Sequence, residues 1–124
     1  MTSPGSKTRI KWEGNSQKEI RSWPKGAREN LGNDLSRLEN HEDPLDSKPM
    51  GKSLPGVHEL LDEDKDFWYR VLYKLDSGWI YVLDCFKKKT NKTSKNDLKL
   101  ARKRVSDIKA RNDAAYIEQE HEDE

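Results

Sequence analysis

The residues best suited to chemistry lie in two aromatic segments, FWYRVLY and WIYVLDCF, and in the lysines that follow the second. Aromatic and β-branched residues dominate both segments, which predicts two strands. Because strand side chains alternate between faces, Arg70 shares one face with Trp68 and Leu72. A guanidinium there is permanently charged and can hold two phosphate oxygens at once. Arg70 is therefore the first candidate for binding a phosphate.

A lysine triplet follows the second segment. We predict that this strand ends at Phe86, so that Lys87, Lys88 and Lys89 emerge at the margin of the sheet. There they are expected to converge on whatever Arg70 faces. Cations gathered beside aromatic rings are typical of sites for ligands that carry both phosphates and bases, which indicates RNA.

Cleavage of RNA without a metal requires the 2′-hydroxyl to attack the adjacent phosphate. This needs removal of a proton, stabilisation of charge on phosphorus and protonation of the leaving oxygen. Arg70 suits the stabilisation of charge. Crowding by like charges favours loss of a proton from Lys88 and Lys89, so either could act as acid or base. Glu59 and His58 are the other proton carriers near the predicted sheet, and the sequence leaves the assignment of acid and base open.

The remaining candidates are expected to bind RNA rather than to react with it. Trp68 or Tyr81 is suited to stacking on a splayed base. The other predicted RNA contacts are polar or cationic residues: Lys48, Lys52, Lys87, Thr90, Lys92 and Arg102. Taken alone, an arginine in a strand or a lysine triplet before a helix is more often a solvated surface feature. The case for RNA depends on their convergence in one region.

Length and composition predict one small domain. The chain has 124 residues, of which 31% are hydrophobic and 38% are charged, so the apolar core must be small. The formal net charge of +1 hides a basic stretch, since residues 87–111 hold 11 Lys or Arg and only two Asp. The segment NDAAYIEQEHEDE that follows holds six acids. We predict a folded domain over residues 1–111 and an acidic tail without regular structure over residues 112–124.

The sequence also argues against several classes of protein. Its longest apolar run, Trp79–Leu83, is far shorter than the roughly 20 residues of a membrane helix, and MTSPGSKT lacks the apolar core of a signal peptide. A cytoplasmic protein is therefore expected. The single cysteine, Cys85, cannot form an internal disulfide. The chain has no Gly-rich phosphate loop and no Cys/His metal spacing, so no cofactor or metal is predicted.

The first part of the chain predicts a strand, two helices and a loop. The strand candidate is Lys7–Trp12. Ser16 and Glu19 form a capping-box pattern, so a first helix is predicted from Ser16 to Trp23. Pro24 can open a second helix, whose apolar stripe comprises Ala27, Leu31, Leu35 and Leu38. Residues 41–56 contain three prolines and two glycines, which predicts a loop.

The second part predicts an antiparallel meander followed by a helix. The strand candidates are Val57–Leu61, Phe67–Leu75 and Trp79–Phe86, and a tight turn, Asp76-Ser77-Gly78, joins the last two. Ser94 and Asp97 form a second capping box, and the helix after it is predicted to end near Arg111. The order β-α-α-β-β-β-α predicts an α+β protein, with a small antiparallel sheet packed by an N-terminal helical hairpin and a C-terminal helix.

Several motifs, taken in order, resemble the RelE/ParE toxin superfamily and its HigB-like, phage-type branch. They are KWEG and SWP near the start, KPMGKSLPGVHEL in the middle, then YRVLY, YVLDCFKKKTNKT and LARKR. The resemblance runs from about Ile10 to Arg104 and so covers the predicted folded domain. In this family's pattern Arg70 matches the arginine on the central strand, and Lys87 to Lys89 match the basic group after the next strand. Leu61 stands where related sequences often carry a basic residue.

The resemblance implies a toxin of a type II toxin–antitoxin system. Such a toxin enters the ribosomal A site and cleaves the bound mRNA without a metal, and thereby inhibits translation. Its implied partners are the ribosome, the mRNA and a separately encoded helix-turn-helix antitoxin of the HigA type. A membrane is not among them.

Two other functions remain open at this point. The same fold in the ParE branch binds DNA gyrase instead of cutting RNA. Alternatively, the chain is a non-catalytic module that uses its basic helix to bind RNA or an acidic protein.

Overall fold

The computed structural model describes residues 8–122, with side chains described as far as Asn112. The elements in chain order are β1 (Arg9–Trp12), α1 (Ser16–Arg21), α2 (Lys25–Glu39), β2 (Ser47–Pro49), a short 3-10 helix (Gly51–Ser53), β3 (Val57–Glu63), β4 (Trp68–Asp76), β5 (Trp79–Lys88) and α3 (Lys95–Glu122). One sheet holds the five strands in the order β1-β5-β4-β3-β2. β1 runs parallel to β5, and the other neighbours are antiparallel. The predicted α+β class is confirmed.

The β4–β5 hairpin has the tight turn that the sequence predicts. Asp76 pairs with Trp79, and Ser77 and Gly78 between them have φ values of 52° and 79°. Two central residues with positive φ match the right-handed twist of the flanking strands, and glycine adopts such a φ without steric strain. This turn, together with the register shift between Leu72 and Tyr73, brings Arg70 opposite Phe86.

Helices cover both faces of the sheet. On one face α1 and α2 pack against the strands, with Leu31 of α2 and Val71 of β4 in one apolar cluster. On the other face Leu72 of β4 packs with Ala101 and Ile108 of α3. The predicted apolar stripe of α2 is buried at all four positions. Alternation along β4 therefore places Arg70 on the α3 side, together with Leu72 as predicted.

One predicted capping box is wrong and the other is confirmed. Helix α1 begins after Asn15, and its Glu19 carboxylate accepts a hydrogen bond from the Trp23 indole at 3.1 Å instead of capping the helix. At α3 the Asp97 amide donates to Ser94 Oγ at 3.1 Å, and the Ser94 hydroxyl donates to Asp97 Oδ2 at 2.6 Å. The Trp23 indole takes the Glu19 carboxylate, whereas Asp97 Oδ2 reaches both the Ser94 hydroxyl and Lys88.

The segment predicted as a loop, residues 41–56, contains regular structure. β2 pairs with β3 at the edge of the sheet, and the 3-10 helix follows it. Pro49 is tolerated in β2 because the outer side of an edge strand needs no amide donor. The prediction missed β2 because prolines and glycines hide a strand of three residues.

Several predicted element ends are also wrong. β3 continues to Glu63 instead of ending at Leu61, and α1 ends at Arg21 instead of Trp23. β5 continues to Lys88 instead of ending at Phe86, and α3 continues to Glu122 instead of ending near Arg111. Residues 112–124 contain no glycine or proline and include several strong helix formers, so nothing in them stops a helix. The division between a domain over 1–111 and a separate acidic tail stays a prediction, and residues 123 and 124 lie outside the described residues. In the described part of the chain, no helix is both long enough and apolar enough to cross a membrane.

The α2 stripe predicts a specific loss of stability. Leu31 is fully buried, so Leu31→Ala should lower the free energy of unfolding by about 2–5 kcal/mol, through lost burial and the cavity left behind. Leu45 is 77% exposed, so Leu45→Ala should change it by less than about 0.5 kcal/mol. Urea unfolding of the two variants measures both values, and equal losses would contradict the assigned core.

Candidate functional site

Arg70 lies at the bottom of a cavity of about 450 Å³ on the α3 side of the sheet. The cavity is lined by Asp46, Lys48, Glu59, Leu61, Asp62, Glu63, Trp68, Arg70 and Asn91. It therefore brings together four of the residues that the sequence singled out: Arg70, Glu59, Lys48 and Trp68. They come from β2, β3 and β4, so the sheet positions them.

The guanidinium of Arg70 is held by three side chains. Nη1 donates to Glu59 Oε2 at 2.6 Å and to Thr93 Oγ1 at 3.2 Å, and Nη2 donates to Asn91 Oδ1. Among the described residues, the buried Nε has no hydrogen-bond partner. Asn91 and Thr93 belong to the loop between β5 and α3, which folds back over the sheet.

Asn91 and Thr93 were not among the site residues predicted from the sequence. They stand in the motif KKKTNKT, where the lysines drew attention to charge. The available signal was that amide and hydroxyl oxygens accept hydrogen bonds from a guanidinium, whereas lysines cannot. Which of these polar side chains reaches Arg70 depends on the path of the loop.

Arg70 and Glu59 form a buried ion pair, with side chains only 8% and 10% exposed. Removing one partner of such a pair leaves an uncompensated buried charge and typically costs about 3–5 kcal/mol. The carboxylate balances the guanidinium, so Arg70 does not present a free positive charge to the cavity.

The sequence predicted a cationic cavity, but the lining also contains carboxylates. Its walls carry Asp46, Asp62 and Glu63 in addition to Glu59, against Lys48 and Arg70. Leu61, which pairs directly with Arg70, adds no charge. The charges are interleaved, since Lys48 and Arg70 both lie beside Glu59. The lining therefore holds four carboxylates against two cations.

The predicted convergence of the lysine triplet is wrong. Because β5 continues to Lys88, neighbouring lysines point to opposite faces. Lys87 pairs with Tyr69 on the face of α1 and α2, and its Nζ lies 4.7 Å from the Phe67 ring. Lys88 stands on the face of Arg70, where its Nζ lies 3.1 Å from Asp97 Oδ2. Lys89 is exposed beyond the end of β5.

The other predicted RNA contacts do not line the cavity. Lys52 is exposed in the 3-10 helix, and Thr90 and Lys92 are exposed in the loop before α3. Arg102 donates from Nε to the Ser53 carbonyl at 3.1 Å, which ties α3 to the 3-10 helix. His58, considered as a proton carrier, lies on the opposite face and stacks on Tyr73 at 5.7 Å.

A second polar cluster lies beneath the N-terminal part of α3. The register shift between Leu72 and Tyr73 leaves Leu83 as an extra residue in β5, which turns Asp84 towards α3. Asp84 Oδ1 lies 3.8 Å from Arg104 Nη1, and the buried Asp84 carboxyl group is within hydrogen-bond reach of Asp97. Burial, followed by the charge of Asp97, raises the pKa of Asp84 to about 7.

Asp97 behaves in the opposite way. Burial alone would raise its pKa, but the hydrogen bond from Ser94 and the ammonium of Lys88 lower it below the usual value. Asp97 therefore loses its proton at lower pH than Asp84, which keeps its proton up to about pH 7. The ionised Asp97 fixes Lys88 on the same face of the sheet as Arg70.

The described residues include no group of three or more His, Cys, Asp or Glu side chains arranged to hold a metal ion. Cys85 is buried, and this burial raises the pKa of its thiol. A thiol that stays protonated is a poor nucleophile, so Cys85 contributes packing.

Comparison with known proteins gives the family. The family model described as "Phage derived protein Gp49-like (DUF891)" matches residues 18–106. This match covers most of the chain, so the protein belongs to the phage-derived Gp49-like family, a RelE- and toxin-like family. Comparisons with curated proteins and with solved structures found no match. The resemblance to RelE-like toxins is thus confirmed at the level of the family, and the HigB-like branch stays a prediction.

The raised pKa of Asp84 predicts how stability depends on pH. Between the ordinary aspartate pKa of about 4 and its folded value of about 7, the folded state keeps a proton that the unfolded chain has released. Asp84 therefore makes the free energy of unfolding fall as pH rises through this window. Asp84→Asn should remove this fall and be the more stable protein above pH 7.

Urea unfolding at a series of pH values from 4 to 8 tests this expectation. Asp66→Asn, at an exposed carboxylate in the loop between β3 and β4, is the control and should keep the wild-type profile. A wild-type slope in Asp84→Asn would refute the assignment.

Proposed function

We propose that this protein is the toxin of a type II toxin–antitoxin system and cleaves mRNA on the ribosome without a metal. The supporting observation is the buried Glu59–Arg70 pair at the bottom of a cavity whose walls carry Trp68 and Lys48. A carboxylate beside a guanidinium supplies a base and a phosphate-binding group in one place. Membership of a toxin-like family supports the same proposal.

The proposed reaction uses the substrate's own 2′-hydroxyl as nucleophile. Glu59 takes the hydroxyl proton, the O2′–P bond forms and the P–O5′ bond breaks. The products are a 2′,3′-cyclic phosphate and a 5′-hydroxyl. Lys88 supplies the proton to the leaving oxygen in this proposal, since its ammonium stands on the same face of the sheet as Arg70, 3.1 Å from Asp97 Oδ2. Lys89, exposed after β5, is the other donor that the chain offers.

The ion pair gives this mechanism a source of transition-state stabilisation. In the ground state Glu59 neutralises Arg70 across 2.6 Å. When Glu59 accepts the proton it loses its charge, and the guanidinium is then uncompensated. Negative charge grows on the phosphoryl oxygens at the same moment, so Arg70 binds the transition state more strongly than the substrate.

Asn91 and Thr93 have a positioning role in this proposal. They accept hydrogen bonds from Arg70 and fix the plane of its guanidinium group. A phosphate oxygen can take the place of the Asn91 oxygen, since both are acceptors. Within the described residues the Nε–H of Arg70 is buried and unpaired, so a substrate oxygen reaches it only if the side chains around Arg70 move. Leaving such a donor unsatisfied costs about 1–3 kcal/mol, so an acceptor that reaches it gains affinity.

The proposed partners are the ribosome, its bound mRNA and a helix-turn-helix antitoxin of the HigA type, all in the cytoplasm. An antitoxin that covers the cavity would block both Arg70 and Trp68. A small neighbouring gene for a helix-turn-helix protein would support this assignment.

Two conservative substitutions distinguish the role of Glu59 as general base from the role of Arg70 in phosphate binding. Glu59→Gln keeps a hydrogen-bond acceptor near Arg70 but cannot take a proton, so cleavage should fall by about 10²–10⁴-fold. Arg70→Lys keeps the charge but loses the fork, so cleavage should fall by about 10²–10³-fold. Primer extension on a transcript translated in a bacterial extract measures both. Unchanged cleavage in Glu59→Gln would remove Glu59 from the reaction.

A double variant separates catalysis from stability. Arg70→Ala alone strands the Glu59 charge, so loss of activity could reflect unfolding. Arg70→Met combined with Glu59→Leu removes both charges and should unfold within a few degrees of the wild type while it fails to cut mRNA. Thermal unfolding and primer extension give the two readings.

Transcripts and DNA supercoiling in cells that express the protein distinguish the alternatives. Intact transcripts together with altered DNA supercoiling would indicate a gyrase-binding toxin of the ParE type. A non-catalytic module would leave both transcripts and supercoiling intact. Its RNA binding would weaken steeply with salt, and the double variant would bind RNA as tightly as the wild type.

A further inference from the structure

Three side chains form a row across the sheet at the open end of the cavity. Trp68 of β4 pairs directly with Glu63 of β3 on one side and with Lys88 of β5 on the other. Directly paired residues of antiparallel strands stand on the same face, with Cβ atoms about 4.5–5.5 Å apart. An indole ring thus lies between a carboxylate and an ammonium.

The ring and the carboxylate are both available to a ligand. Trp68 is half-buried and Glu63 is exposed, and both line the cavity. Within the described part of the chain, neither makes a hydrogen bond, an ion pair or a ring contact. Glu59, in contrast, is already paired with Arg70. Glu63 is therefore the carboxylate beside Trp68 whose acceptors can serve recognition.

We infer that the Glu63–Trp68 pair recognises a guanine base. The ring of Trp68 offers a stacking surface, as in single-stranded RNA recognition. An ionised carboxylate only accepts hydrogen bonds and can accept two in parallel. Guanine presents two adjacent donors, N1–H and the N2 amino group, to such a carboxylate.

The other three bases fit this carboxylate less well. Adenine and cytosine each place a ring nitrogen acceptor beside the amino donor, and this acceptor repels one carboxylate oxygen. Uracil has one N–H donor flanked by two carbonyl oxygens. The expected order of affinity is guanine first and uracil last.

The positions of the cations agree with this orientation of the base. Arg70 follows Trp68 by two residues on the same face of β4, which at about 3.3 Å per residue puts them about 7 Å apart. Lys88 lies on the side of Trp68 away from Glu63. A nucleotide stacked on Trp68 can place its base edge at Glu63 and its phosphate near Arg70 and Lys88. This inference rests on the proposed function, since it names the nucleotide preferred by that same cavity.

Binding of nucleoside 3′-monophosphates to the full-length chain tests the inference. Isothermal titration calorimetry with the guanosine, adenosine, cytidine and uridine forms gives four dissociation constants. The guanosine form should bind about tenfold more tightly than the uridine form. Glu63→Gln should abolish most of this difference and leave the affinity for inorganic phosphate unchanged.

Two further variants complete the experiment. Trp68→Leu should weaken all four nucleotides by about tenfold, because the stacking surface is lost. Asp66→Asn, at an exposed carboxylate in the neighbouring β3–β4 loop that does not line the cavity, is the matched control and should change nothing. Any of three results would overturn the inference. They are equal affinity for all four nucleotides, no nucleotide binding at all, and an unchanged guanine preference in Glu63→Gln.

Primer extension keeps this inference separate from the proposed function. Cleavage of translated transcripts with no preference for guanine at the cut would overturn the guanine site and leave the ribonuclease intact. A guanine preference in binding without any cleavage would support the site and overturn the ribonuclease.

Discussion

The buried ion pair between Glu59 and Arg70 is the interaction on which the cavity depends. A guanidinium beneath the surface of a sheet is stable only when a carboxylate and further acceptors surround it. Glu59 pairs with Leu72, and Leu61 pairs with Arg70, so the two charged residues are diagonal neighbours across β3 and β4. The register of these two strands therefore sets the charge pair. Any shift by one residue would bury Arg70 among the apolar side chains beneath α2.

The start of α3 couples this site to the rest of the fold. The Ser94–Asp97 cap fixes the first turn of the helix, and the same Asp97 carboxylate holds Lys88. Beneath them Arg104 reaches Asp84 and the Leu83 carbonyl, which ties the helix to β5 at the bulge. Because the helix cap and Lys88 share one carboxylate, the position of Lys88 depends on the start of α3.

Much of the fold follows from local sequence patterns. The alternation of aromatic and β-branched residues locates β4 and β5, and the four-residue apolar spacing locates α2. The spacing of these residues also predicts which face of β4, β5 and α2 is buried. Element ends are less well determined, because local signals compete there with tertiary contacts. The extension of β5 to Lys88 shows the consequence: two more strand residues send Lys87 to the opposite face from Lys88.

The sequence by itself determined the strand that carries Arg70, the face on which it stands and the presence of Glu59 and Trp68 nearby. Side-chain periodicity along one strand is a local property, so it can be read from neighbouring residues. Only the tertiary structure decided which groups surround the guanidinium. Asn91 and Thr93 reach Arg70 from more than 20 residues away in the chain. Their positions depend on loop and helix packing, and no local pattern encodes such contacts.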